Sequence, residues 1–580
     1  MRYLRMLTNA VIAGGAVALY IAVLVLQLNP HYSLSGFPAL VLTLVASYGL
    51  NVAAVFYGLI VVHQVVAAEP ISPGWISFRV LVWLCTVGAA AGAALTWTNL
   101  LGLGPVLDPS TALRMTGGAV ALSLCAVFML MLAVWRRWRG RQGSKYEPAL
   151  LALLLMASVA VPMTFRGPGT DAARPRRDPG GLAATAEAAG ESRVTLLLFE
   201  GASIDVIAPG AADGRLPHFG RLVESAAFMH VATIRPTQPG TVWTAAATGK
   251  LPVKTGIRSA ATYWPVGSTD AIEVLPDSCF AHALVRFGFL RQQLHTSRDL
   301  TARPLWSILS QQGLPVGIIN WSVTQPVREV RGYQVSDEFE RIAGSSIDIN
   351  NAQGVWPRDA VSVAAAAFIE PEVDSRGTPA TAGSDASELI ASTCRSDGAY
   401  EQMAIDLERQ LPSRFRAVRF RCLDAAGHYL LRYAVPNPFG DVSEEDIERY
   451  NVALGGFYAA ADAAVGRTLA EMRPGDLLIV MSGFGMDPMD IGKQLLERTF
   501  GDPVPTGTHE RAPDGFMFVF GSAVRPGRYA RASIVDLVPT VLYFFGLPVG
   551  RDMDGFARTD IFSRDFTTHR PITYIPTYER

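Results

Sequence analysis

Hydrophobic and polar positions are distributed very differently in residues 1–165 and in the rest of the chain. The amino-terminal part consists mainly of apolar runs, each close to or above the roughly 20 residues that a helix needs to cross a bilayer. These runs predict about five transmembrane helices, at residues 8–28, 37–65, 77–98, 115–134 and 148–165. Charged residues are absent from the depth of these runs, apart from terminal positions such as Arg79. This absence argues against a transport path and favours a membrane anchor.

Basic residues between the apolar runs predict the orientation of this region. Arg2 and Arg5 precede the first run, and a basic cluster occupies 136–145, whereas the loops near 29–36 and 99–113 carry almost no Lys or Arg. Five spans place both basic segments on one side, which the positive-inside rule makes cytoplasmic. We therefore expect a multi-pass protein of the cell (inner) membrane. Its amino terminus is cytoplasmic, and its carboxy-terminal part is extracytoplasmic, or periplasmic.

After the last apolar run, the pattern becomes that of an α/β domain. Residues 166–192 are rich in Gly, Pro and Ala and predict a flexible linker. Beyond it, apolar runs alternate with helical patterns, which indicates a doubly wound, mostly parallel sheet within 193–580. A continuous apolar run such as 194–199 suits a central strand that is buried on both faces. The pattern predicts strands at 194–199, 415–423, 476–482 and 515–521 and helices at 216–225 and 444–472.

Net charge and cysteine content bear on the possible partners of the chain and on its disulfide bonds. The net charge of −1 over 580 residues argues against a nucleic-acid partner, which would favour a basic surface. The chain has five cysteines and no Cys-x-x-Cys pair. Free buried thiols are the favoured interpretation, with a disulfide between Cys279 and Cys394 as the alternative. Cys422 is the remaining thiol of the carboxy-terminal part.

Carboxylate and imidazole side chains follow the predicted strands. Glu200 ends the first strand, and Asp424 ends the next, with His428 four residues later. His509 lies far downstream, in GTHERAPDGF. Open α/β sheets bind ligands at the carboxyl ends of their strands. A carboxylate with two imidazoles is a three-ligand set that leaves a fourth position for water or substrate. Asp424, His428 and His509 therefore predict a divalent metal site, best suited to one zinc ion.

The order of these segments resembles the alkaline phosphatase superfamily, in particular its type I phosphodiesterase/nucleotide pyrophosphatase branch. The resemblance covers 193–265 and 415–565 and leaves 266–414 as an inserted cap. It rests on LLLFEGAS, LPHFGRLVESAAF, WTAAATGKLPVKTGI, DAAGH, IVMSGFGMD, GTHERAPDGFMFVFG and SIVDLVPTVLYFFGLPVGRDMDG. In this family two metals, usually zinc, flank a Thr or Ser nucleophile and stabilise displacement at phosphorus. The resemblance assigns Asp424, His428 and His509 to one of these metals.

The ligands that the resemblance implies for the second metal are incomplete. Glu200 stands where the family has an Asp, so an oxygen ligand is kept on a longer side chain. Gly483 and Phe484 stand where the family has an adjacent Asp-His pair, and neither can coordinate a metal. The sequence thus predicts one intact metal half-site and one degraded half-site.

The nucleophile position implied by the resemblance is also altered. It falls on Pro239, with Thr237 and Thr241 two residues to either side as the candidate nucleophiles. Whether the chain is an enzyme stays open at this stage. One interpretation is a single-metal phosphoric ester hydrolase that is tethered to the bilayer. Another is a non-catalytic envelope binding or assembly protein, a pseudoenzyme, whose ligand is a phosphorylated small molecule or a lipid headgroup. A third treats the three ligands as relics without metal. The membrane helices also resemble those of envelope phosphoethanolamine and phosphoglycerol transferases.

Overall fold

The structure, a computed structural model, describes most of the chain with ten internal gaps. The described residues are 2–66, 78–139, 146–167, 191–277, 279, 281–343, 353–369, 384–434, 443–489, 506–510 and 512–579. The chain divides into two compact units. The first consists of Met1–Arg174 and Arg258–Leu294, and the second consists of Pro175–Ile257 and His295–Arg580.

The amino-terminal part of the first unit is entirely helical. Its helices are α1 (Arg2–Leu28), α2 (Phe37–Leu44), α3 (Leu50–Val66), α4 (Phe78–Leu103), α5 (Pro109–Arg139) and α6 (Glu147–Thr164). A single π-helical turn, Val45–Gly49, joins α2 to α3. Five stretches are long and apolar enough to cross a membrane, in agreement with the sequence: Ala10–Leu28, Leu34–Leu59, Leu81–Val106, Pro109–Trp138 and Glu147–Thr164.

Residues 258–294 complete the first unit, although residues 165–257 separate them from the last of these helices in sequence. They form an antiparallel hairpin of β3 (Ala261–Pro265) and β4 (Leu290–Leu294), with the short helix α11 (Ala283–Arg286) between the strands. One apolar cluster joins this segment to α1 and α2.

The second unit is built on a ten-stranded mixed sheet. Its main path runs β13-β2-β12-β9-β1-β8-β5-β6-β7, and β14 pairs with β2. The strands are β1 (Val194–Phe199), β2 (Ala227–Ala232), β5 (Val316–Trp321), β6 (Gly332–Ser336), β7 (Val355–Trp356), β8 (Phe415–Phe420), β9 (Leu477–Phe484), β12 (Asp514–Gly521), β13 (Gly527–Arg528) and β14 (Ala532–Ser533). Short pairs β10 (Asp487–Pro488) with β11 (Gly507–Thr508) and β15 (Val549–Gly550) with β16 (Tyr574–Ile575) lie outside this sheet.

Helices accompany the strands of the second unit. They are α7 (Ile204–Ala212), α8 (Pro217–Ser225), α9 (Pro239–Thr248), α10 (Pro252–Thr255), α12 (Leu305–Gln311), α13 (Phe339–Ala343), α14 (Val361–Ile369), α15 (Ser384–Gln410), α16 (Cys422–Leu430), α17 (Glu444–Glu471), α18 (Leu537–Phe544) and α19 (Arg564–His569). The predicted doubly wound α/β class is confirmed.

The centre of the sheet explains why its strands are continuous apolar runs. Strand β1 pairs in parallel with β8 on one side and β9 on the other, and β5 and β6 continue the parallel order. All eight residues of β9 are buried. Because these strands run in the same direction, their carboxyl ends meet at one edge, where α/β folds place ligands.

The segment predicted as an inserted cap, 266–414, is divided between the units. Residues up to Leu294 belong with the membrane helices, and residues from His295 onward supply β5, β6 and β7 to the central sheet.

Candidate metal centre

Asp424 and His428 lie on one face of α16, which starts immediately after the central strand β8. Their spacing of four residues brings the two side chains onto adjacent turns of the helix. The start of α16 is held by the Asp397 carboxylate, which accepts the backbone N–H of Arg421 at 2.7 and 2.9 Å and that of Cys422 at 2.7 Å. Close approach of the neighbouring strand depends on Gly201, which has φ of 70°. A Cβ there would lie 2.6 Å from the Cα of Asp424.

A disulfide also fixes the start of α16. Cys394, on α15, is bonded to Cys422 with a Cα–Cα distance of 4.6 Å. The expectation of free thiols is wrong for Cys394 and Cys422, and the alternative pairing of Cys279 with Cys394 is also wrong. Cys279 is a free buried thiol in the first unit. Sequence spacing could not identify the pair, because α15 and α16 meet only when the strand between them is in place.

His509 completes the three-residue cluster from a distant part of the chain. It follows β11, which pairs with β10 just beyond the end of β9. The ligand atoms of Asp424, His428 and His509 all lie within 4.8 Å of one another. Nε2 of His428 is 3.7 Å from Oδ2 of Asp424, and Nε2 of His509 is 3.9 Å from Oδ1. One ion at zinc–ligand distances of about 2.0–2.2 Å could contact all three atoms.

Hydrogen bonds to both imidazoles leave the same nitrogen free on each ring. Nδ1 of His428 donates to the carbonyl of Gly507 at 2.9 Å, and Nδ1 of His509 donates to the carbonyl of Thr237 at 3.0 Å. A carbonyl only accepts, so these bonds place the proton on Nδ1 and the lone pair on Nε2, as in metal-bound histidines. Oδ1 of Asp424 is buried and has no hydrogen-bond partner in the described part of the chain. The three side chains therefore fit a metal ion.

Glu200 is placed beside this cluster but is occupied by other partners. The residue is only 2% exposed. Its Oε1 accepts a hydrogen bond from Nε1 of Trp243 at 2.7 Å, and its Oε2 lies 3.6 Å from Nη1 of Arg419. Burial raises the pKa of the Glu200 carboxyl, and the Arg419 guanidinium opposes this shift by favouring the charged form. Glu200 thus forms an intramolecular ion pair with Arg419 and lies outside the three-residue metal cluster.

Aromatic rings pack around the Gly483–Phe484 position. A Cβ on Gly483 would lie 2.9 Å from both the Trp243 indole and the Val242 side chain. The Phe484 ring lies 5.9 Å from the Trp243 ring and 5.0 Å from the His509 ring, measured between centroids. The absence of a β-carbon at 483 is therefore what allows the indole of Trp243 to reach Glu200.

Sequence reasoning missed Trp243 and Arg419 as parts of this site. Two signals were present in the sequence. Trp243 is the one large side chain in the small-residue helix WTAAAT, and Arg419 interrupts the apolar strand FRAVRF. Both side chains are buried, with exposures of 0% and 4%.

The two candidate nucleophiles lie at the start of α9. Thr237 and Thr241 are both fully buried, and neither hydroxyl has a hydrogen-bond partner in the described part of the chain. The carbonyl of Thr237 accepts from His509, so this residue directly adjoins the metal cluster. Thr241 lies in the first turn of α9, two residues before Trp243.

Two solved structures of known proteins match part of this chain at low sequence identity. A solved structure of murine ectonucleotide pyrophosphatase/phosphodiesterase 5, an inactive variant in complex with AMP, matches at 13% identity and a TM-score of 0.36, covering 64% of this chain and 100% of that one. A mutant of alkaline phosphatase PafA matches at 12% identity and a TM-score of 0.37, covering 64% of this chain and 98% of that one. No curated protein matches the sequence.

The family profile gives the decisive comparison. The profile of the type I phosphodiesterase/nucleotide pyrophosphatase family matches residues 194–504, which is more than half of the 580 residues. This match confirms the resemblance to the alkaline phosphatase superfamily that the ordered motifs carried. The chain belongs to the type I phosphodiesterase/nucleotide pyrophosphatase family.

Proposed function

We propose that this chain is a membrane-anchored, extracytoplasmic protein that holds one zinc ion and binds the phosphoryl group of a phosphate ester at that ion. The observation that carries the proposal is the arrangement of Asp424, His428 and His509, with both Nε2 atoms and one carboxylate oxygen facing each other. Three protein ligands leave one coordination position for an anionic group. A zinc ion held there would supply positive charge to a phosphoryl oxygen.

The second metal position of the family is replaced by side chains in this chain. Trp243 and Arg419 take up both oxygens of Glu200. Phe484 and the ring of Trp243 fill the adjacent space. Binding a second ion there would require breaking a buried hydrogen bond and ion pair and leaving the Arg419 charge uncompensated, which is costly in a protein interior. We therefore propose a one-metal site.

Binding without turnover is the first candidate activity, and hydrolysis by a single metal is the second. The proline at 239 and the packed second half of the site argue for binding. The hydroxyls of Thr237 and Thr241 favour hydrolysis, since both are buried without a partner in the described residues and Thr237 adjoins the cluster through its bond to His509. In either case the ligand is a phosphorylated small molecule or a lipid headgroup.

The extracytoplasmic location rests on two features. Basic residues at 136–145 lie between the fourth and fifth apolar helices, which predicts that this end of the bundle is cytoplasmic. The Cys394–Cys422 disulfide suits an oxidising compartment, such as the periplasm or cell exterior.

Metal analysis of the full chain in detergent tests the proposal. We expect one zinc per chain in the unchanged protein and none in His509→Ala. The control is His569→Ala, since His569 is exposed on α19 and should leave the zinc content unchanged. Zinc retained in His509→Ala would contradict the proposed site.

Aryl phosphate mono- and diesters then distinguish the two activities. Hydrolysis of bis(p-nitrophenyl) phosphate that disappears in Asp424→Ala would establish the one-metal hydrolase. If no turnover occurs, equilibrium binding of inorganic phosphate should require zinc and should be lost in the same variant. Phosphate binding that is independent of zinc would contradict the binding role.

A further inference from the structure

Residues 258–294 are joined to the second unit at both ends, yet they pack with the membrane helices. We propose that this segment is a re-entrant element that inserts among the transmembrane helices. It thereby attaches the extracytoplasmic domain to the helix bundle independently of the linker at 166–192. The partner of this surface is the bundle of the same chain, so the inference does not depend on the metal site.

Apolar contacts place part of the segment below the ends of the helices. Leu275 and Leu284 line one small cavity together with Ile21 on α1 and Leu44 on α2. Ile21 precedes Leu28, the last residue of α1, by seven positions, which corresponds to roughly 10 Å along a helix axis. The apolar side chains of the segment therefore reach past the end of α1 into its span.

Two asparagine side chains, one directly after α1 and one on α4, satisfy the backbone of the inserted chain. Oδ1 of Asn29 accepts the N–H groups of Glu273 and Val274, both at 2.9 Å, and its Nδ2 donates to the carbonyl of Val274 at 2.8 Å. Asn99 repeats this arrangement on α4. It accepts from the N–H of Asp277 at 2.6 Å and donates to the carbonyl of the same residue at 3.0 Å.

Tyr48 supplies a third contact, from the π-helical turn between α2 and α3. Its hydroxyl donates to the carbonyl of Cys279 at 2.7 Å. Both asparagines are completely buried. Non-helical backbone at membrane depth is tolerated only where protein groups satisfy its polar atoms, because lipid cannot. Asn29, Asn99 and Tyr48 thus share one kind of partner, namely backbone groups of Glu273, Val274, Asp277 and Cys279.

The base of the insertion is closed within the second unit. The backbone N–H of Thr301 donates to the carbonyl of Thr255 at 2.9 Å, and its hydroxyl donates to the carbonyl of Lys254, also at 2.9 Å. The two chain passages that lead into the re-entrant element are therefore hydrogen-bonded to each other.

Cleavage of the linker tests the attachment directly. A protease site is introduced at position 180 of the full chain, and the cleaved protein is purified in mild detergent through a tag on the amino terminus. We expect the carboxy-terminal fragment to be retained with the helices. Its release after cleavage of the otherwise unchanged protein would overturn the proposal.

Substitution of the asparagines gives a second, more specific test. In the cleaved protein, Asn29→Leu/Asn99→Leu should release the fragment, whereas Asn51→Leu should not, because among the described residues Asn51 bonds to the carbonyl of Ser47, within its own helix turn. Equal retention of both variants would show that the asparagine contacts do not hold the element.

Thiol labelling provides a readout that does not require cleavage. In a Cys85→Ala/Cys125→Ala background, Cys279 should react with a membrane-impermeant maleimide more than about tenfold slower than a cysteine introduced at exposed Asp565. Equal rates for the two thiols would contradict insertion of the segment.

Discussion

The two halves of the candidate site, the Asp424–His428–His509 cluster and the Glu200–Trp243–Arg419 group, differ in how their polar atoms are paired. On one side, Asp424, His428 and His509 keep their donor atoms free and their orientation fixed by backbone carbonyls. On the other side, Glu200 is tied to Trp243 and Arg419, and Gly483 makes room for the indole. The second half is thus a packed group of paired side chains. We propose that this group takes the place of the family's second metal, so that the absence of ligands at Gly483 and Phe484 goes together with residues that fill and pair in the same space.

Removing the Trp243 indole should have the largest effect on stability. It should also show whether the two halves of the site are independent. Trp243→Ala deletes a fully buried side chain and leaves Glu200 without its donor, so we expect a loss of about 3–5 kcal/mol in stability. The zinc content at Asp424 should stay at one per chain. Thermal unfolding and metal analysis of the same sample test both statements. Trp356→Ala, at a half-buried indole on edge strand β7, is the control and should cost less. Zinc loss in the Trp243 variant would mean that the halves are not independent.

Matched carboxylate-to-amide substitutions in the two halves test which carboxylate contributes to zinc affinity. Asp424→Asn removes a charged ligand and should weaken zinc binding by about 1000-fold, which is about 4 kcal/mol. Glu200→Gln keeps the acceptor for Trp243 and should leave zinc affinity within about threefold, since Glu200 lies outside the cluster. Competition with a chelator of known affinity measures both values. Comparable losses in the two variants would place Glu200 among the ligands.

The Cys394–Cys422 disulfide supports the cluster of Asp424, His428 and His509, because Cys422 begins the helix that carries Asp424. Cys394→Ser/Cys422→Ser opens a loop with a sequence separation of 28 residues and should cost about 3 kcal/mol. Zinc affinity should fall with stability, because the start of α16 is less constrained. Adding a reductant to the unchanged protein should reproduce the variant in thermal unfolding. Unaltered stability and affinity in both cases would show that Asp397 alone fixes the helix.

The sequence predicted those features that are encoded over short distances. A continuous apolar run such as VTLLLF predicts a buried parallel strand, and a carboxylate with a histidine four residues later predicts one face of a turn or helix. His509 was found because it accompanies a motif order shared with a known family. The confirmed fold class and the confirmed family follow from these local and ordered signals.

Features that depend on tertiary contacts were not predicted. Nothing in WTAAAT reveals that the indole of Trp243 will reach Glu200, because this contact requires a missing β-carbon at Gly483, 240 residues later. Segment 258–294 has no long apolar run, so its association with the helices was not visible. Asn29 and Asn99 are its signal in retrospect, since a buried asparagine at or near the end of an apolar helix needs a polar partner.

Gly483→Ala should have the smallest effect on the free energy of unfolding. It tests the packing between Gly483 and Trp243. Gly483→Ala places a methyl group 2.9 Å from Trp243 and Val242, and overpacking of this kind should cost about 1–2 kcal/mol. Gly455→Ala on α17 is the matched control: the space around Gly455 is open, so the helix should gain up to about 1 kcal/mol. In a Trp243→Ala background the cost of Gly483→Ala should shrink, because one of its two close contacts is gone. A double-mutant cycle from thermal unfolding measures this coupling. Strictly additive effects would mean that Gly483 does not serve to admit the indole, and that the packed half of the site has another origin.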